Sequence, residues 1–217
     1  MSLTETTIMT TTAVYNDDKT HRYLLRKEWD SKLPEAMIIM LSPSTAGVVT
    51  VDHTTMFVLS NLEKLHYGSV SIVNLFSCLN GRRTAAELDD ENLAYITEAA
   101  ERAQTIIYAT GTGADGSSTV LQQQRDVLNL LLPWKDKLQC IADARGKKFY
   151  HPLCPTVRWW RLEDFEYCEL TAFKTADLPE ETLPSELTPA ETAAEPRPAD
   201  IENPIQDKPK RGRKKNQ

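Results

Sequence analysis

The chain has 217 residues, of which 41% are hydrophobic and 26% charged, and its formal net charge is −6. These values are typical of a soluble globular protein with one main core, and they exclude collagen-like and wholly disordered chains. No apolar run approaches the ~18 residues that a membrane helix needs. The Thr-rich start also lacks the apolar region of a secretory signal. We therefore expect a cytoplasmic protein without membrane contact.

Composition divides the chain into four segments. Residues 1–20 are predicted to be a flexible N-terminus and residues 21–174 a single α/β domain. Residues 175–207 contain nine acidic residues and six prolines. Such a stretch buries too little apolar surface to offset its ordering entropy, so we predict a disordered acidic linker. Residues 208–217 carry six positive charges and no negative charge, and we treat them as a separate basic tail.

Strand-like and helix-like patterns alternate within the predicted domain. In chain order they predict a strand at residues 22–26, a strand at 36–41, a helix at 52–66, a strand at 70–76, a helix at 90–103, a strand at 105–109, a helix at 120–132 and a strand at 138–141. This alternation predicts a three-layer α/β/α sandwich with a mostly parallel central sheet.

Ligands of such sheets bind beyond the carboxyl ends of the strands. The first loop there holds Ser42, Ser44 and Thr45. Their hydroxyl and backbone N–H groups suit a phosphate or carbonyl, and also an ordinary turn. Thr110 and Gly111 begin a glycine-rich loop that lacks the spacing of the common nucleotide-binding loops. We predict substrate contacts for these five residues and expect no cofactor.

Three polar side chains near the same edge of the sheet are predicted to be catalytic. Asp52 either caps a helix or orients a water molecule or sugar hydroxyl. Asn74 ends a strand, where its amide either bonds to loop backbone or reads the edge of a base. His151 follows the basic and aromatic segment 145–150. It either caps a turn or belongs to a nucleic-acid surface. We expect no metal site, because the cysteine spacing fits no zinc framework.

The basic tail resembles an AT-hook, a motif that places an Arg-Gly-Arg core in an A·T-rich minor groove. The matching residues are Lys210, Arg211, Gly212, Arg213, Lys214 and Lys215. Lys214 stands where the motif usually has proline. A generic polybasic tail that contacts phosphates nonspecifically would account for the same charges. Both interpretations predict that DNA binds to this tail.

Several motifs together resemble an uncharacterised bacterial and phage family, a domain of unknown function with an IMLNPSTA signature. The matching segments are Arg22-Tyr23-x-Leu25-Arg26-x-x-Trp29, IIMLSPSTA at 38–46, Asp52-x-Thr54, VNLF at 73–76 and His151-Pro152-Leu153. The resemblance covers residues 22–153. Ser42 replaces an Asn that is usual in the family, and Ala109-Thr110-Gly111 replaces a frequent Trp-Gly pair.

The order of these motifs is also similar to that of the uracil-DNA glycosylase superfamily. This resemblance implies a sandwich of that type in which Asn74 reads a base and His151 polarises a carbonyl or contacts a phosphate. The water-activating acid of that superfamily's first loop has no counterpart in residues 42–46. Asp52 is the nearest carboxylate in the sequence.

These features predict an enzyme that acts on a nucleobase or nucleotide in nucleic acid, for DNA repair or base modification. Its site would be a glycosylase-like hydrolase site at the strand ends. The alternative is a noncatalytic DNA-binding or adaptor protein. In that case the basic tail supplies the affinity for DNA, and the α/β domain binds a partner or a small ligand. The sequence identifies no protein partner.

Overall fold

The computed structural model describes residues 2–79, 89–111 and 117–166. Within these ranges the strands are β1 (Thr10–Tyr15), β2 (Arg22–Glu28), β3 (Glu35–Met40), β4 (Ser69–Asn74), β5 (Thr105–Tyr108), β6 (Leu138–Ala142) and β7 (Arg161–Asp164). The α-helices are α1 (His53–Lys64), α2 (Asp90–Arg102) and α3 (Ser118–Leu130). The predicted linker at 175–207 and the basic tail at 208–217 lie outside the described residues.

The strands form one sheet in the order β1-β2-β4-β3-β5-β6-β7. The central strands β4, β3, β5 and β6 are parallel, whereas β1, β2 and β7 pair antiparallel. The α/β class is as predicted, but the sheet is mixed rather than mostly parallel. Residues 29–34 connect β2 to β3. A parallel crossover needs about a dozen residues or more, so this short connection reverses the chain.

The sequence pattern predicts neither of the two outer strands. β1 lies inside residues 1–20, which corrects the prediction that this whole segment is flexible. Its sequence, TTTAVY, contains no continuous apolar run because β1 pairs only with β2, at the edge of the sheet. β-branched threonine nevertheless favours strand geometry. β7 reads RLED and lies at the opposite edge, where charged residues are common.

Apolar clusters fill the space on both faces of the sheet. Ile39 packs with Ile96 of α2 and Val127 of α3 on one face. Ile38 packs with Val58 of α1 on the other face. Successive strand residues point to opposite faces, so a strand covered on both sides needs a continuous apolar run. The predicted placement of helices on both faces is confirmed.

α1 begins at the predicted N-cap. The carboxylate of Asp52 accepts a hydrogen bond from the Thr55 backbone N–H at 2.8 Å. Gly68 follows the helix, and a Cβ atom there would lie 1.9 Å from the Asp30 carbonyl oxygen. Only glycine therefore allows the β2–β3 connection to pack against the start of β4. No α-helix in the described part of the chain is long and apolar enough to cross a membrane.

Candidate functional site

A cleft of about 1000 Å³ opens at the carboxyl ends of β3, β5 and β6. Its lining consists of Leu41, Ser42, Pro43, Ser44, Thr110, Gly111, Asp143, Arg145, Lys147, Phe149, Tyr150, His151, Cys154 and Thr156. This is the edge at which open α/β sheets bind their ligands. The cleft is therefore the candidate functional site.

The cleft brings together some of the predicted site residues and leaves others outside. Those in its lining are Ser42, Ser44, Thr110, Gly111 and His151. Thr45 is exposed and outside the lining. Asp52 is half-buried at the start of α1, and Asn74 is 1% exposed at the end of β4. Neither lines the cleft, and Lys210 to Lys215 lie outside the described residues.

Backbone contacts fix the position of His151. Gly111 has a φ of +76°, and a Cβ atom added to it would lie 3.0 Å from the His151 Cβ. The loop after β5 therefore packs directly against the histidine, and glycine suits both the close approach and the left-handed backbone. On the other side, the Leu153 backbone N–H donates to His151 Nδ1 at 3.2 Å.

These contacts determine which nitrogen of His151 carries the proton. The Leu153 N–H can only donate, so Nδ1 accepts and the neutral ring holds its proton on Nε2. Burial lowers the pKa of His151, and this effect outweighs the attraction of Asp52. The ring is therefore neutral at neutral pH. It is suited to donate a hydrogen bond from Nε2 to an oxygen of a ligand.

Asp143 organises the loop that brings two cations to the cleft. Its Oδ1 accepts hydrogen bonds from the backbone N–H groups of Arg145 at 2.8 Å and Lys147 at 3.0 Å. Its Oδ2 accepts one from the Tyr150 hydroxyl at 2.9 Å. The loop therefore presents cationic and aromatic side chains next to His151, and this combination suits an anionic ligand with a planar ring.

Sequence reasoning missed three lining residues. Asp143 directly follows β6, so applying the strand-end rule to every central strand would have found it. Cys154 and Thr156 reach the cleft because the chain turns after His151, where the Cys154 N–H donates to the His151 carbonyl at 2.9 Å. The turn itself is predicted from the sequence, and the hydrogen bond from the Leu153 N–H to His151 Nδ1 confirms that His151 caps it. Among the described residues, no group of three His, Cys, Asp or Glu side chains is arranged to hold a metal ion.

Arg22 lies behind the loop at 42–46 and is 1% exposed. Its Nη1 donates to the carbonyl oxygen of Ser44 at 3.3 Å and also to that of Ala46. Burial lowers the pKa of Arg22, and the nearby Tyr15 and Asp52 only partly oppose this effect. Arg22 is thus a buried cation that supports one wall of the cleft.

Asp52 supports the same loop from the helix side. Burial raises its pKa, but hydrogen bonds from Thr55 and Ser44 and the charge of Arg22 outweigh burial and lower it. The carboxylate is therefore ionised, and its N-cap role is confirmed. Asp52 also attracts the proton of His151 electrostatically. Asp52 therefore affects the cleft indirectly, through its hydrogen bond with Ser44 and its charge effect on His151.

The side chain of Asn74 is buried without a partner for its amide nitrogen in the described part of the chain. Its backbone carbonyl accepts a hydrogen bond from Asn92 Nδ2 at 3.0 Å, but its own Nδ2 makes no hydrogen bond there. Nδ2 thus makes no bond to loop backbone, and the side chain does not line the cleft. The predicted contact with a base stays a prediction.

The segment that builds the cleft coincides with a known sequence family. The model of the family described as "Protein of unknown function (DUF1643)" matches residues 22–153, more than half of the chain. The chain belongs to this family. The DUF1643 segment begins at Arg22 and includes the loop at 42–46 and His151. No curated protein and no solved structure matches the chain, so the resemblance to uracil-DNA glycosylases stays a prediction.

Proposed function

We propose that this DUF1643 chain is an enzyme that acts on a nucleobase or nucleotide in nucleic acid, with its site in the strand-end cleft. The observation that carries the proposal is the position of His151, which lines the cleft and accepts a hydrogen bond from the Leu153 N–H at Nδ1, so that a neutral ring holds its proton on Nε2. A preorganised N–H donor stabilises negative charge that develops on a carbonyl or phosphate oxygen. This is the electrophilic role predicted for His151.

The chemistry of the lining supports a nucleotide-like ligand. Phe149 and Tyr150 offer aromatic surface for a base, and Arg145 and Lys147 offer positive charge for phosphate. The volume of about 1000 Å³ is at the upper end of the range for small-molecule sites, which runs from about 300 to about 1,000 Å³. A base taken out of a duplex would be bound after flipping.

In a glycosylase-type reaction, water replaces the base at the sugar carbon. The base leaves with the electrons of the N-glycosidic bond, and charge appears on its carbonyl oxygen. The attacking water loses one proton as it bonds to the sugar carbon, and that proton finally neutralises the departed base. The His151 Nε2–H stabilises that oxygen. Among the described residues, Asp143 is the one carboxylate in the cleft lining. We therefore assign the orientation of the attacking water to Asp143 rather than to Asp52.

An assay of base release tests this proposal. The full chain is incubated with single-stranded, mismatched and uracil-containing DNA, and released bases are quantified by chromatography. We expect His151→Ala to slow release by about 100-fold or more, as loss of an oxyanion-stabilising donor does, without a change in thermal stability. His53→Ala is the matched control, because His53 is exposed and does not line the cleft. No release from any substrate, or equal release by His151→Ala, contradicts the proposal.

A second candidate function follows from the charge of residues 208–217. Their six positive charges support DNA binding through phosphate contacts. Deleting this tail should weaken DNA binding and flatten its dependence on salt concentration, since fewer counterions are released. If all DNA binding is lost with the tail and cleft substitutions change nothing, the noncatalytic adaptor function replaces the enzyme.

A further inference from the structure

Three buried nitrogen donors behind the cleft lack partners in the described part of the chain. They are Nε and Nη2 of Arg22 and Nδ2 of Asn74. Both residues are 1% exposed. An unpaired buried donor is costly, and native proteins seldom keep one unless an ion, water or ligand binds it. Three such donors therefore mark a place where an ion, a water molecule or a ligand is expected to bind.

Both side chains belong to the face of the sheet that α1 covers. Asn74 pairs with Met40 in the parallel ladder between β3 and β4. Paired residues of neighbouring strands point to the same face, and Met40 belongs to the apolar cluster that contains Ala46 and residues of α1. Arg22 reaches the same face, because its Nη1 donates to the carbonyl oxygen of Ala46.

The unpaired atoms of Arg22 have a geometry that suits an oxyanion. Nη1 is occupied by the carbonyl oxygens of Ser44 and Ala46. The remaining Nε–H and Nη2–H lie on one edge of the guanidinium and form the fork that binds two oxygens of a phosphate or carboxylate. Burial lowers the pKa of Arg22 in spite of the nearby Asp52. The cation is therefore only partly balanced by its neighbours.

We propose that Arg22 and Asn74 form a subsite for a small oxyanion of the phosphate class, behind the loop at 42–46. The Nε and Nη2 edge of Arg22 binds two of its oxygens, and Asn74 Nδ2 binds a third. The source of the oxyanion is one phosphate of a nucleotide whose base lies in the cleft, distinct from the backbone phosphates that Arg145 and Lys147 would contact, and this part rests on the proposed function. Ser44 lines the cleft and is held by Arg22. The loop must therefore move for a phosphate to pass.

Calorimetric titration of the full chain tests the subsite with three probes: inorganic phosphate, deoxyuridine and deoxyuridine monophosphate. Arg22→Met and Asn74→Asp should each weaken phosphate binding by about 30-fold or more, as removal of one partner of a buried charged hydrogen bond does. Asn74→Asp should fold at least as well as wild type, because its carboxylate satisfies the free edge of Arg22. It therefore keeps the test decisive if Arg22→Met fails to fold.

Lys27→Met provides the matched control. Lys27 is a second buried cation in β2, 2% exposed, and its Nζ donates to Thr11 Oγ1 at 3.1 Å. Its removal should leave phosphate binding unchanged. A control variant that loses phosphate binding to the same extent as Arg22→Met would show that the effect is not specific to the subsite, and would overturn the proposal.

The three probes also identify the source of the oxyanion. Binding of inorganic phosphate only, or of the monophosphate but not the nucleoside, supports the subsite if Asn74→Asp weakens that binding to the predicted extent. The subsite is overturned if wild type binds neither phosphate probe, or if Asn74→Asp binds them as wild type does. His151→Ala should bind inorganic phosphate normally. Phosphate binding without base release would therefore contradict the proposed function and leave the subsite intact.

Discussion

Among the described residues, charged and polar side chains are paired at the amino end of the central strands, whereas some of those at the carboxyl end are unpaired. At the amino end of β3, Glu35 Oε2 accepts hydrogen bonds from Arg26 Nε at 3.1 Å and Nη2 at 2.9 Å. Its Oε1 accepts one from the Ser71 hydroxyl at 2.6 Å. At the carboxyl end, Arg22 and Asn74 keep unpaired donors in the described part of the chain.

This difference separates stabilising polar groups from groups that are available for binding. A paired, partly buried network such as that of Glu35 makes the fold more rigid, whereas unpaired donors lower its stability unless something binds them. Polar groups left without hydrogen-bond partners are expected where a protein has a functional site. The carboxyl end of the strands, where the cleft opens, is therefore the end at which we look for activity.

Glu35→Gln should cause the largest loss of stability among the changes considered. It leaves Arg26 and Arg102 without their shared carboxylate. We expect the free energy of unfolding in urea to fall by about 2–4 kcal/mol. Glu28→Gln is the control, because Glu28 also pairs with Arg26 but is 30% exposed, and it should cost about 1 kcal/mol or less. Equal losses of stability in Glu35→Gln and Glu28→Gln would contradict the claim that the paired network at the amino end of the strands stabilises the fold.

The contribution of Glu35 should also depend on pH. Burial raises its pKa, but hydrogen bonds from Arg26 and Ser71 outweigh burial and lower it below the ordinary value of 4.5. Its stabilising effect is therefore complete above pH 4.5 and is lost as pH falls through the lower pKa of the folded state. The stability difference between wild type and Glu35→Gln should narrow in that range. If the stability difference stays constant down to the lowest pH at which the protein folds, the charge of Glu35 does not contribute to stability.

Gly111→Ala should have a smaller effect on stability and a specific effect on the cleft. The left-handed backbone costs about 1–2 kcal/mol for alanine, and the new Cβ would press on His151. Gly146→Ala is the control, because Gly146 has a φ of +80° with nothing within 4 Å of the added Cβ. Both variants should lose similar stability in thermal unfolding. Only Gly111→Ala should also lose base release, and an equal loss by both would exclude contact with His151 as the cause.

In Asp52→Ser, serine keeps the N-cap hydrogen bond, although Arg22 loses a nearby negative charge. The substitution also removes the charge that raises the pKa of His151. Protonation places two N–H donors, His151 Nδ1 and Leu153, against each other, so the protonated ring must turn. Base release should therefore decline on the acid side, below the ordinary histidine value of 6.5. In Asp52→Ser this decline should shift to lower pH, and an unshifted profile would contradict the electrostatic link.

The sequence was sufficient to locate the buried elements. Apolar periodicity predicts helices at 52–66 and 90–103, and the structure has His53–Lys64 and Asp90–Arg102. The continuous run at 36–41 predicts the central strand, since both of its faces are buried. These patterns are strong because burial restricts which residues are allowed. The strand-end rule likewise predicts the edge at which the cleft lies.

The sequence was not sufficient to predict sheet edges or side-chain directions. β1 and β7 pair with one neighbour each, so they need no apolar run, and strand order depends on contacts that are distant in sequence. Asn74 lies at the end of a predicted strand and Asp52 at the start of a predicted helix, but neither side chain lines the cleft. The sequence pattern predicts Arg22 only as part of a strand. Its unpaired nitrogens become evident in the folded structure, where Arg22 Nη1 contacts the loop at 42–46.

The most direct test compares ligand binding by variants of the two strand ends. Deoxyuridine monophosphate is titrated by calorimetry into the full wild-type chain, His151→Gln and Glu35→Gln, and the stability of each is measured in parallel. We predict that His151→Gln weakens binding and keeps its stability, while Glu35→Gln loses stability and keeps binding below its unfolding temperature. Undiminished binding by His151→Gln, or loss of binding by folded Glu35→Gln, would contradict the assignment of function to the carboxyl end of the sheet.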